Sequence, residues 1–352
     1  MSSPDSKKPP PRITSTADLA RHIGLARTTV SRVLNGQPGL KPSTVERVQR
    51  ALAETGFTPN AFATLLKGKG TSSVGICMEN LLTPPLLRKL STLQRQLRGQ
   101  DYTSLIEVYA PGESRTILRH FLSMRVEAVV FIGHFDPGEL EARIHELIGH
   151  KLPHLVIDHH GIPHANTVTL DRAQAMRKLM DHLLALGHRS FGLLGIPPAP
   201  PSHLERIHGI RAALAAQGLA LQTSTRSFDA QCERAQDFEF GHALAGQFLA
   251  LKLPPTAYVA LNDEIAIGAM RAFQEAGLTI PGDVSVTGFN NQDVCTMMAP
   301  PLTTVDQEID LTIKAAMQVL MSQLRNGLPS RPVLRTIPPG IVIRQSTGRA
   351  PR

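Results

Sequence analysis

The stretch Thr28-Thr29-Val30-Ser31-Arg32-Val33-Leu34-Asn35 decides how the N-terminal part of the chain is interpreted. Its apolar residues recur at helical spacing, so Val30, Val33 and Leu34 are expected to share the buried face of a short helix. The outward face is then polar and basic, and it comprises Arg27, Thr28, Ser31 and Arg32. A helix with such an outward face is suited to contact the phosphates and base edges of DNA.

Another short helix is predicted immediately before this one. Ser15 and Asp18 have the spacing of a capping box, with the serine as N-cap and the carboxylate near the positive end of the helix. Three apolar residues follow at helical spacing, and Gly24 is expected to end the helix. Two short helices joined by a glycine-containing turn, the second with a basic outward face, are typical of a helix-turn-helix.

A third helix is predicted to begin at Ser43 and to end at Gly56. Ser43 and Glu46 repeat the capping-box spacing, and glycine is the residue that most often ends a helix. The apolar residues expected to close a small three-helix core are Val45, Val48 and Leu52.

The net charge of the chain is concentrated at its N-terminus. Residues 1–70 contain eleven Lys and Arg and four Asp and Glu, a formal charge of +7, whereas the whole chain carries +8. Only Lys7 and Lys8 lie in the Ser/Pro/Lys-rich stretch 1–11, which is predicted to be a disordered tail. Positive charge focused on a predicted helical domain indicates a polyanionic partner.

Length and composition argue against several other classes of protein. A chain of 352 residues suits two or three domains. No apolar run approaches the roughly 18 residues of a membrane span, and residues 1–11 lack the apolar segment of a secretory signal, so no membrane contact is expected. The three cysteines are far apart, which favours reduced thiols in a cytoplasm over disulfides or a zinc site. They are Cys77, Cys232 and Cys295.

Predicted strands and helices alternate from residue 71 onward. Short β-branched apolar runs predict strands at residues 74–78, 103–108, 129–132, 155–158, 190–194, 257–260 and 284–288. Helices are predicted at residues 86–98, 114–124, 173–186, 205–217 and 264–276. This alternation predicts parallel sheets with helices on both faces. Two such lobes in tandem leave a cleft at the ends of their strands, where ligands usually bind.

Three motifs near the N-terminus resemble the lactose-repressor/galactose-repressor (LacI/GalR) family. They are Asp18-Leu19-Ala20, Thr29-Val30-Ser31-Arg32-Val33-Leu34-Asn35 and Gly56-Phe57-Thr58-Pro59-Asn60-Ala61. The resemblance continues at residues 182–189, 206–209, 262–268, 277–289, 300–305 and 343–347, so it covers about residues 12–348. Because the signal is composite, it is more specific than an isolated motif.

This resemblance implies a fold and a domain organisation. The implied fold is an all-α helix-turn-helix head plus a hinge helix, followed by a two-lobed, periplasmic-binding-protein-like α/β sensor whose chain crosses between the lobes three times. The expected domains are a disordered tail at 1–11, a helix-turn-helix domain at 12–58, a hinge helix and linker at 59–70, and an effector-binding domain at 71–348. The N-lobe is expected at about 71–170 and 301–333, and the C-lobe at about 171–300 and 334–348.

The resemblance also implies a function. A chain of this family is expected to be a transcriptional repressor that binds a pseudo-palindromic double-stranded DNA operator as a homodimer in the bacterial cytoplasm. Its affinity for the operator is expected to be controlled by a small polar metabolite, a sugar or sugar acid, acting as inducer or as corepressor. No leucine-heptad tail follows Thr347, so a tetramer through a C-terminal bundle is not expected.

DNA contacts are carried over from the family position by position. Arg27 and Thr28 correspond to residues that read base edges in the major groove, Arg32 to another base-contacting residue, and Asn35 to the end of the recognition helix. An arginine that binds guanine through two hydrogen bonds contributes about 1–3 kcal/mol of discrimination. Phosphate contacts are expected from Ser15, Thr29 and Ser31. The alternative is that the arginines are solvated surface charges.

The stretch 59–69 corresponds to the hinge helix of the family, which folds when two subunits meet on DNA. The resemblance implies that Asn60 caps this helix, that Ala63 faces the partner helix, and that Lys67 lies near phosphates. Leu66 is expected to enter the minor groove and wedge a base step open. The alternative is an ordinary linker. Thr64 departs from the family because an arginine is common there.

Effector contacts are also carried over from the family. Arg206 is expected to point its guanidinium into the cleft, where its planar fork suits a hydroxyl, carboxylate or phosphate. The other expected contacts are Phe135, Asp158, Asn262 and Asn290. Asn290 stands where the family usually has an aspartate, which makes the site less negative and better suited to an anion. Phe135 is proposed to replace a stacking aromatic ring that this chain lacks. The alternatives are that Asp158 is a turn residue and that Asp263 only caps its helix.

Other functions predict features that the sequence lacks. A periplasmic solute-binding protein would carry a signal peptide and no basic head, and a sugar-converting enzyme would carry paired acid and base residues in the cleft. The spacing of the histidines around one strand end matches no standard zinc pattern, and neither a metal nor a cofactor is expected. These histidines are His154, His159, His160 and His164. A sugar-binding or sugar-converting protein on the same scaffold remains the alternative function.

Overall fold

The computed structural model describes residues 13–34, 37–57, 71–79, 83–159, 161–196, 201–228 and 237–351. Contacts divide the chain into two compact units, and the boundary along the chain lies between Thr71 and Ser72. The first unit contains the predicted helix-turn-helix, and the second contains the predicted α/β lobes. Among the helices in these described ranges, none is both long and apolar enough to cross a membrane.

Three short helices form the first unit: α1 (Thr16–His22), α2 (Arg27–Leu34) and α3 (Pro42–Thr55). In the turn between α1 and α2, Gly24 has a φ of +61°, a left-handed conformation that suits glycine. The helices pack around a small apolar core formed by Leu19, Ala20, Ile23, Val30, Val48 and Ala51. The helix-turn-helix prediction is confirmed.

The start of each helix shows which capping signal operates. The Ser15 hydroxyl accepts a hydrogen bond from the Asp18 N–H at 3.1 Å, as the first capping box predicts. The second capping box is wrong, because α3 begins before Ser43, with Lys41 as N-cap and Pro42 in its first turn. Proline suits this position since its φ is already helical and it has no N–H to satisfy.

The end and the buried face of α3 follow the prediction in part. The helix ends at Gly56, whose φ is +62°. Val48 and Leu52 contact the core of the first unit as predicted, whereas Ala51 joins it in place of Val45. The prediction of Val45 as a core residue is therefore wrong.

A six-stranded sheet, parallel throughout, forms the first lobe of the second unit. Its strands are β1 (Ser73–Glu79), β2 (Thr103–Tyr109), β3 (Ala128–Ile132), β4 (His154–Ile157), β5 (Thr167–Leu170) and β11 (Leu334–Ile337), in the order β11-β5-β4-β3-β1-β2. The helices of this lobe are α4 (Pro84–Arg98), α5 (Ser114–Ser123), α6 (Pro137–Gly149) and α12 (Ile309–Asn326).

A second six-stranded sheet forms the other lobe. Its strands are β6 (Phe191–Leu194), β7 (Thr225–Ser227), β8 (Ala257–Ala260), β9 (Ser285–Asn290), β10 (Thr303–Asp306) and β12 (Gly340–Val342), in the order β12-β10-β9-β8-β6-β7. Strand β12 is antiparallel to β10, and the other pairs are parallel. The helices of this lobe are α7 (Arg172–Ala185), α8 (Pro201–Ala216), α9 (Leu221–Ser224), α10 (Phe238–Leu249) and α11 (Asp263–Glu275), with a short 3₁₀ helix at Asp293–Thr296.

Helices cover both faces of the first sheet, as the sequence predicts. On one face of β1, Val74 and Ile76 belong to an apolar cluster that also contains residues of α4 and α12. On the opposite face, Cys77 belongs to a separate cluster with residues of α5 and α6. Alternate residues of β1 therefore serve two cores, which explains why the strand is a continuous apolar run.

The chain crosses between the lobes three times, but two predicted lobe boundaries are wrong. Strand β10 pairs with β9, so the second lobe extends past residue 301 to Asp306. Strand β11 pairs with β5, so the first lobe extends past residue 333 to Ile337. The physical reason is that backbone hydrogen bonding, which the apolar pattern of these short strands does not specify, assigns each strand to its sheet.

Candidate functional site

The outward face of α2 is the first candidate site. Arg27, Thr28 and Arg32 are exposed, whereas Thr29 and Ser31 are half-buried. The guanidinium of Arg32 donates a hydrogen bond to the Pro38 carbonyl at 3.4 Å. These three exposed side chains therefore lie on the same side of the helix as the sequence predicts.

The start of α2 lacks a side-chain cap. The Ala26 carbonyl accepts hydrogen bonds from the N–H groups of Thr29 and Val30, at 2.9 and 3.1 Å. Ala26 thus occupies the N-cap position, and its methyl group has no oxygen to offer the remaining N–H groups of the first turn. The N-cap of α1, Ser15, does have such an oxygen. Its hydroxyl accepts a hydrogen bond from the Asp18 N–H and donates one to the Asp18 carboxylate at 2.8 Å.

Five predicted DNA contacts lie outside the described residues. They are Asn35, Asn60, Ala63, Leu66 and Lys67. The predictions made for them stay predictions.

A buried polar cluster in the second unit is the second candidate site. It consists of side chains that are at least nine-tenths buried and that come from both lobes or from the segments between them: Lys89 of α4, Asp158 after β4, Arg172 at the start of α7, Arg206 of α8 and Gln307 after β10. Parallel strands bring the segments that follow them to one edge of a sheet, and Asp158 lies at this edge of the first sheet and Gln307 at this edge of the second.

Asp158 lies at the centre of this cluster. One of its carboxylate oxygens accepts a hydrogen bond from Lys89 Nζ, and the other lies 3.3 Å from Arg172 Nη2. Burial alone would raise the pKa of Asp158, but attraction to Lys89 and Arg172 outweighs it and holds the pKa at about 2. The carboxylate is therefore an internal counter-ion shared by two buried cations.

Arg206 is held less completely. Its Nη1 donates to the Leu261 carbonyl at 3.2 Å, and its guanidinium carbon lies 4.3 Å from the centre of the Phe289 ring. Its Nε is buried and has no hydrogen-bond partner within the described ranges. Burial, followed by repulsion from Arg172, lowers the pKa of Arg206 to about 9.

Further contacts connect the cluster to the second lobe. Gln307 accepts a hydrogen bond from Lys89 Nζ, and its own amide donates to Asn290 Oδ1. Arg172 Nη1 also lies 3.8 Å from a carboxylate oxygen of Glu205. The cluster therefore forms a continuous polar connection between the first lobe and the second.

Two family models match the chain in agreement with this architecture. The model of bacterial regulatory proteins, lacI family, matches residues 16–60, and the model of the periplasmic binding protein-like domain matches residues 180–347. Between them, the two models cover the helix-turn-helix and most of the second lobe.

Full-length relatives share this arrangement of domains. Catabolite control protein A of Priestia megaterium is 28% identical over 337 residues, which are 94% of this chain and 98% of that protein. The lactose operon repressor of Escherichia coli is 27% identical over 315 residues, 88% of this chain and 84% of that protein. The chain carries a LacI-family DNA-binding domain. It is a DNA-binding transcriptional regulator with a periplasmic-binding-protein-like ligand domain.

A solved structure shows the same fold. The lac repressor dimer bound to operator and an anti-inducer has a TM-score of 0.82 with this chain, at 24% identity, and the match covers 95% of this chain and 99% of that one. The relatives named above are regulators of transcription, and none of their names describes an enzyme.

Three of the five predicted effector-binding residues belong to the cluster or contact it. They are Asp158, Arg206 and Asn290. Asp158 also has the backbone conformation of a turn residue, since its φ is +71°, so this alternative is compatible with the structure.

Asn262, and not Asp263, caps the N-terminus of helix α11. Asn262 Oδ1 accepts a hydrogen bond from the Ile265 N–H at 2.8 Å and is the N-cap of α11. Asp263 is fully buried and accepts hydrogen bonds from the Thr304 hydroxyl and the Gln292 N–H. The interpretation of Asp263 as the helix cap is therefore wrong, and a ligand contact by Asn262 would have to use its amide nitrogen.

The prediction that Phe135 offers a stacking face to the ligand is not supported. Its ring is buried in the apolar core of the first lobe, with centres 5.0 Å from that of Tyr109 and 5.6 Å from that of Phe131. The two aromatic neighbours and the surrounding apolar core stabilise the ring in this buried position. The aromatic ring that contacts the cluster is Phe289.

Sequence reasoning missed several residues of the cluster. Lys89 carried a signal, because it interrupts the apolar stripe that α4 buries at Leu86, Leu93 and Leu97. A lysine at an inward position of an amphipathic helix is rare unless it is paired. Arg172 and Gln307 carried no comparable signal, since each follows a strand end where polar residues are common.

Proposed function

We propose that this chain is a ligand-responsive repressor that binds a pseudo-palindromic operator as a homodimer and responds to a small polar metabolite between its lobes. The observation that carries the proposal is the combination, in one chain, of a helix-turn-helix with exposed Arg27, Thr28 and Arg32 and a two-lobed domain with a buried polar cluster. The helix-turn-helix is suited to bind DNA and the two-lobed domain to bind a small ligand. The resemblance to the LacI/GalR family implies that ligand binding controls DNA binding.

In this proposal the head and the hinge read DNA in different ways. Arg27, Thr28 and Arg32 contact base edges in the major groove, while Ser15, Thr29 and Ser31 hold phosphates. Asn60, Ala63, Leu66 and Lys67 belong to the hinge, in which Leu66 wedges the centre of the operator. The proposed domains are 12–58, 59–70 and 71–348, and the protein acts in the bacterial cytoplasm, where chromosomal DNA lies.

An apolar patch on the first lobe supports the homodimer. Ile106 and Val108 are exposed on one face of β2, an edge strand of its sheet. Ser104 on the same face contacts Gln94 of α4, and exposed Leu87 lies two helical turns from Gln94. Three neighbouring exposed apolar side chains beside a strand edge are costly in water unless a partner covers them.

The proposed ligand class is supported by the relatives. One similar protein is named for the lactose operon, and similar solved structures are described as a complex of the regulator CelR with cellobiose and as a LacI-family regulator with bound ribose. We propose a sugar or sugar derivative that is bound and not converted. Recovery of the ligand unchanged after incubation with the protein would support binding without conversion.

The DNA-binding role is tested by selecting an operator from random DNA with the full chain and measuring affinity by fluorescence anisotropy. Arg27→Ala and Arg32→Ala should each weaken binding to the selected operator by about 1–3 kcal/mol and relax the base preference. Arg177→Ala, an exposed arginine of α7, is the control and should leave both unchanged. Affinity of the wild-type protein should fall steeply with salt concentration.

Two results would contradict this role. One is a salt-independent affinity, since phosphate contacts release counterions. The other is equal affinity of the wild-type protein for selected and random DNA. For the hinge, Leu66→Ala should weaken binding to the full palindrome more than to a half-site, and equal losses would argue against the wedge.

A further inference from the structure

The buried cluster contains more positive than negative charge. Its cations are Lys89, Arg172 and Arg206, and Arg172 is close enough to each of the other two to repel it electrostatically. Asp158 contacts both Lys89 and Arg172, and Glu205 lies beside Arg172. Among the described residues, the two carboxylates within 4 Å of these cations therefore contact Lys89 and Arg172.

Arg206 is the cation without a carboxylate partner. Within the described part of the chain, no Asp or Glu oxygen lies within 4 Å of its guanidinium nitrogens, and the Leu261 carbonyl and the Phe289 ring are its neighbours. Glu79, another carboxylate at this edge of the first sheet, accepts from the His134 N–H at 2.7 Å and contacts the His134 ring. An unpaired buried charge is unfavourable, and a buried N–H without a partner adds to the cost.

We propose that the ligand of this cleft carries an anionic group, a carboxylate or a phosphate, which binds the Arg206 guanidinium beside Arg172. This inference rests on the proposed function, because it names the chemical class of the same small ligand. The Nε–H of Arg206 supplies an unused donor, and a planar guanidinium binds carboxylate or phosphate oxygens through parallel hydrogen bonds. A neutral hydroxyl could accept the hydrogen bond but would leave the charge uncompensated.

Asp158 then acts as an internal competitor for the anion. Its carboxylate neutralises Lys89 and Arg172, and Arg172 is close enough to Arg206 to lower the pKa of that guanidinium. Replacing it with asparagine leaves those cations without their counter-ion, so an external anion gains attraction. Replacing Arg172 with glutamine removes attraction. The proposal therefore predicts that Asp158→Asn and Arg172→Gln, each of which replaces a charged side chain with an amide, change anion affinity in opposite directions. General damage to the site would weaken binding in both variants.

The test is calorimetric titration of the full-length protein with D-glucose, D-gluconate and D-glucose 6-phosphate. Gluconate carries a carboxylate and glucose 6-phosphate carries a phosphate, so comparing their affinities shows which anionic group the site prefers. For the charged probe that binds, Arg172→Gln should weaken affinity about tenfold or more, and Asp158→Asn should strengthen it. Arg177→Gln, an exposed arginine of the same helix, is the matched control and should change nothing.

The outcomes separate this inference from the proposed function. Binding of glucose as tight as that of both charged probes, with Asp158→Asn weakening it, would overturn the anionic class and leave a ligand-responsive repressor. Failure of both charged probes to bind a protein that still binds its selected operator would also overturn the anionic class. If the wild-type protein showed no sequence-specific DNA binding, the proposed function itself would be overturned.

Discussion

The Asp158 carboxylate is expected to stabilise the folded protein as well as to influence ligand binding. Its carboxylate is buried and contacts two cations, which hold its pKa at about 2, below the ordinary value of about 4. A lowered pKa in the folded state means that the ionised form stabilises the fold above pH 4 and that this contribution is lost as the pH falls from about 4 to about 2. Over this window the change is about 2–3 kcal/mol.

Asp158→Asn should therefore destabilise the second unit at pH 7 by about 2–3 kcal/mol or more, since it also leaves two cations without their counter-ion. The difference from wild type should shrink as the pH falls from about 4 to about 2, because the Asp158 carboxyl of the unfolded chain is protonated first and that of the folded protein only near pH 2. Urea unfolding at pH 7 and at pH 3 measures both effects. Asp181→Asn on the exposed face of α7 is the control, and a pH-independent difference for Asp158→Asn would contradict the assignment.

Helices α10 and α11 cross at unusually close range because each contributes a glycine. A methyl group on Gly241 would lie 2.1 Å from the Ile265 carbonyl oxygen, and one on Gly268 would lie 1.9 Å from the Phe238 carbonyl oxygen. The clashing atoms belong to the backbone, so they cannot move aside as a flexible side chain can. Close backbone approach at these positions, rather than turn formation, explains why two helices tolerate an interior glycine.

Gly241→Ala should destabilise the second unit by about 1–3 kcal/mol, because the added methyl group forces the two helices apart. Gly246, in the same helix, is exposed and has no atom within 4 Å of an added methyl group. Gly246→Ala should stabilise the unit by up to about 1 kcal/mol through helix propensity. Thermal and urea unfolding compare the two, and a loss of stability in both variants would contradict the close-crossing explanation.

At the scale of the whole molecule, the polar cluster lies where the chain passes between the lobes. Arg172 follows the first crossing, after β5, and Gln307 follows the second crossing, after β10. Both side chains are bound to the first-lobe residues Asp158 and Lys89. A ligand that contacts Arg172 therefore changes contacts at the segments about which the lobes can rotate, and coupling of such a ligand to DNA binding is typically about 1–3 kcal/mol.

The proposed dimer gives a prediction at the same scale. Ile106→Asp should shift the protein toward monomer, because it introduces a charge into the apolar patch formed by Leu87, Ile106 and Val108. Leu253→Asp is the control, since Leu253 is 89% exposed on the other lobe and is not part of that patch. Sedimentation velocity measures the association state. A dimer that persists in Ile106→Asp would place the interface elsewhere.

Local patterns were sufficient to predict much of the architecture. The helix-turn-helix, the parallel sheets with helices on both faces and the boundaries of β8 (Ala257–Ala260) follow from apolar spacing and helix-ending glycines. The predicted elements do not include strands β5, β7, β10, β11 and β12 or helices α6, α9, α10 and α12, although Asp136 caps α6 as a helix-starting aspartate should.

What the sequence by itself determined was which residues are buried, which segments are helical, and where the basic charge lies, because these depend on residue type and short spacing. What only the tertiary structure decided was pairing: β10 with β9, β11 with β5, Lys89 with Asp158, and Arg206 with Phe289 rather than with a carboxylate. Such partners are far apart along the chain, and the geometry of the folded sheets, not any local pattern, brings them within hydrogen-bonding distance or ring contact.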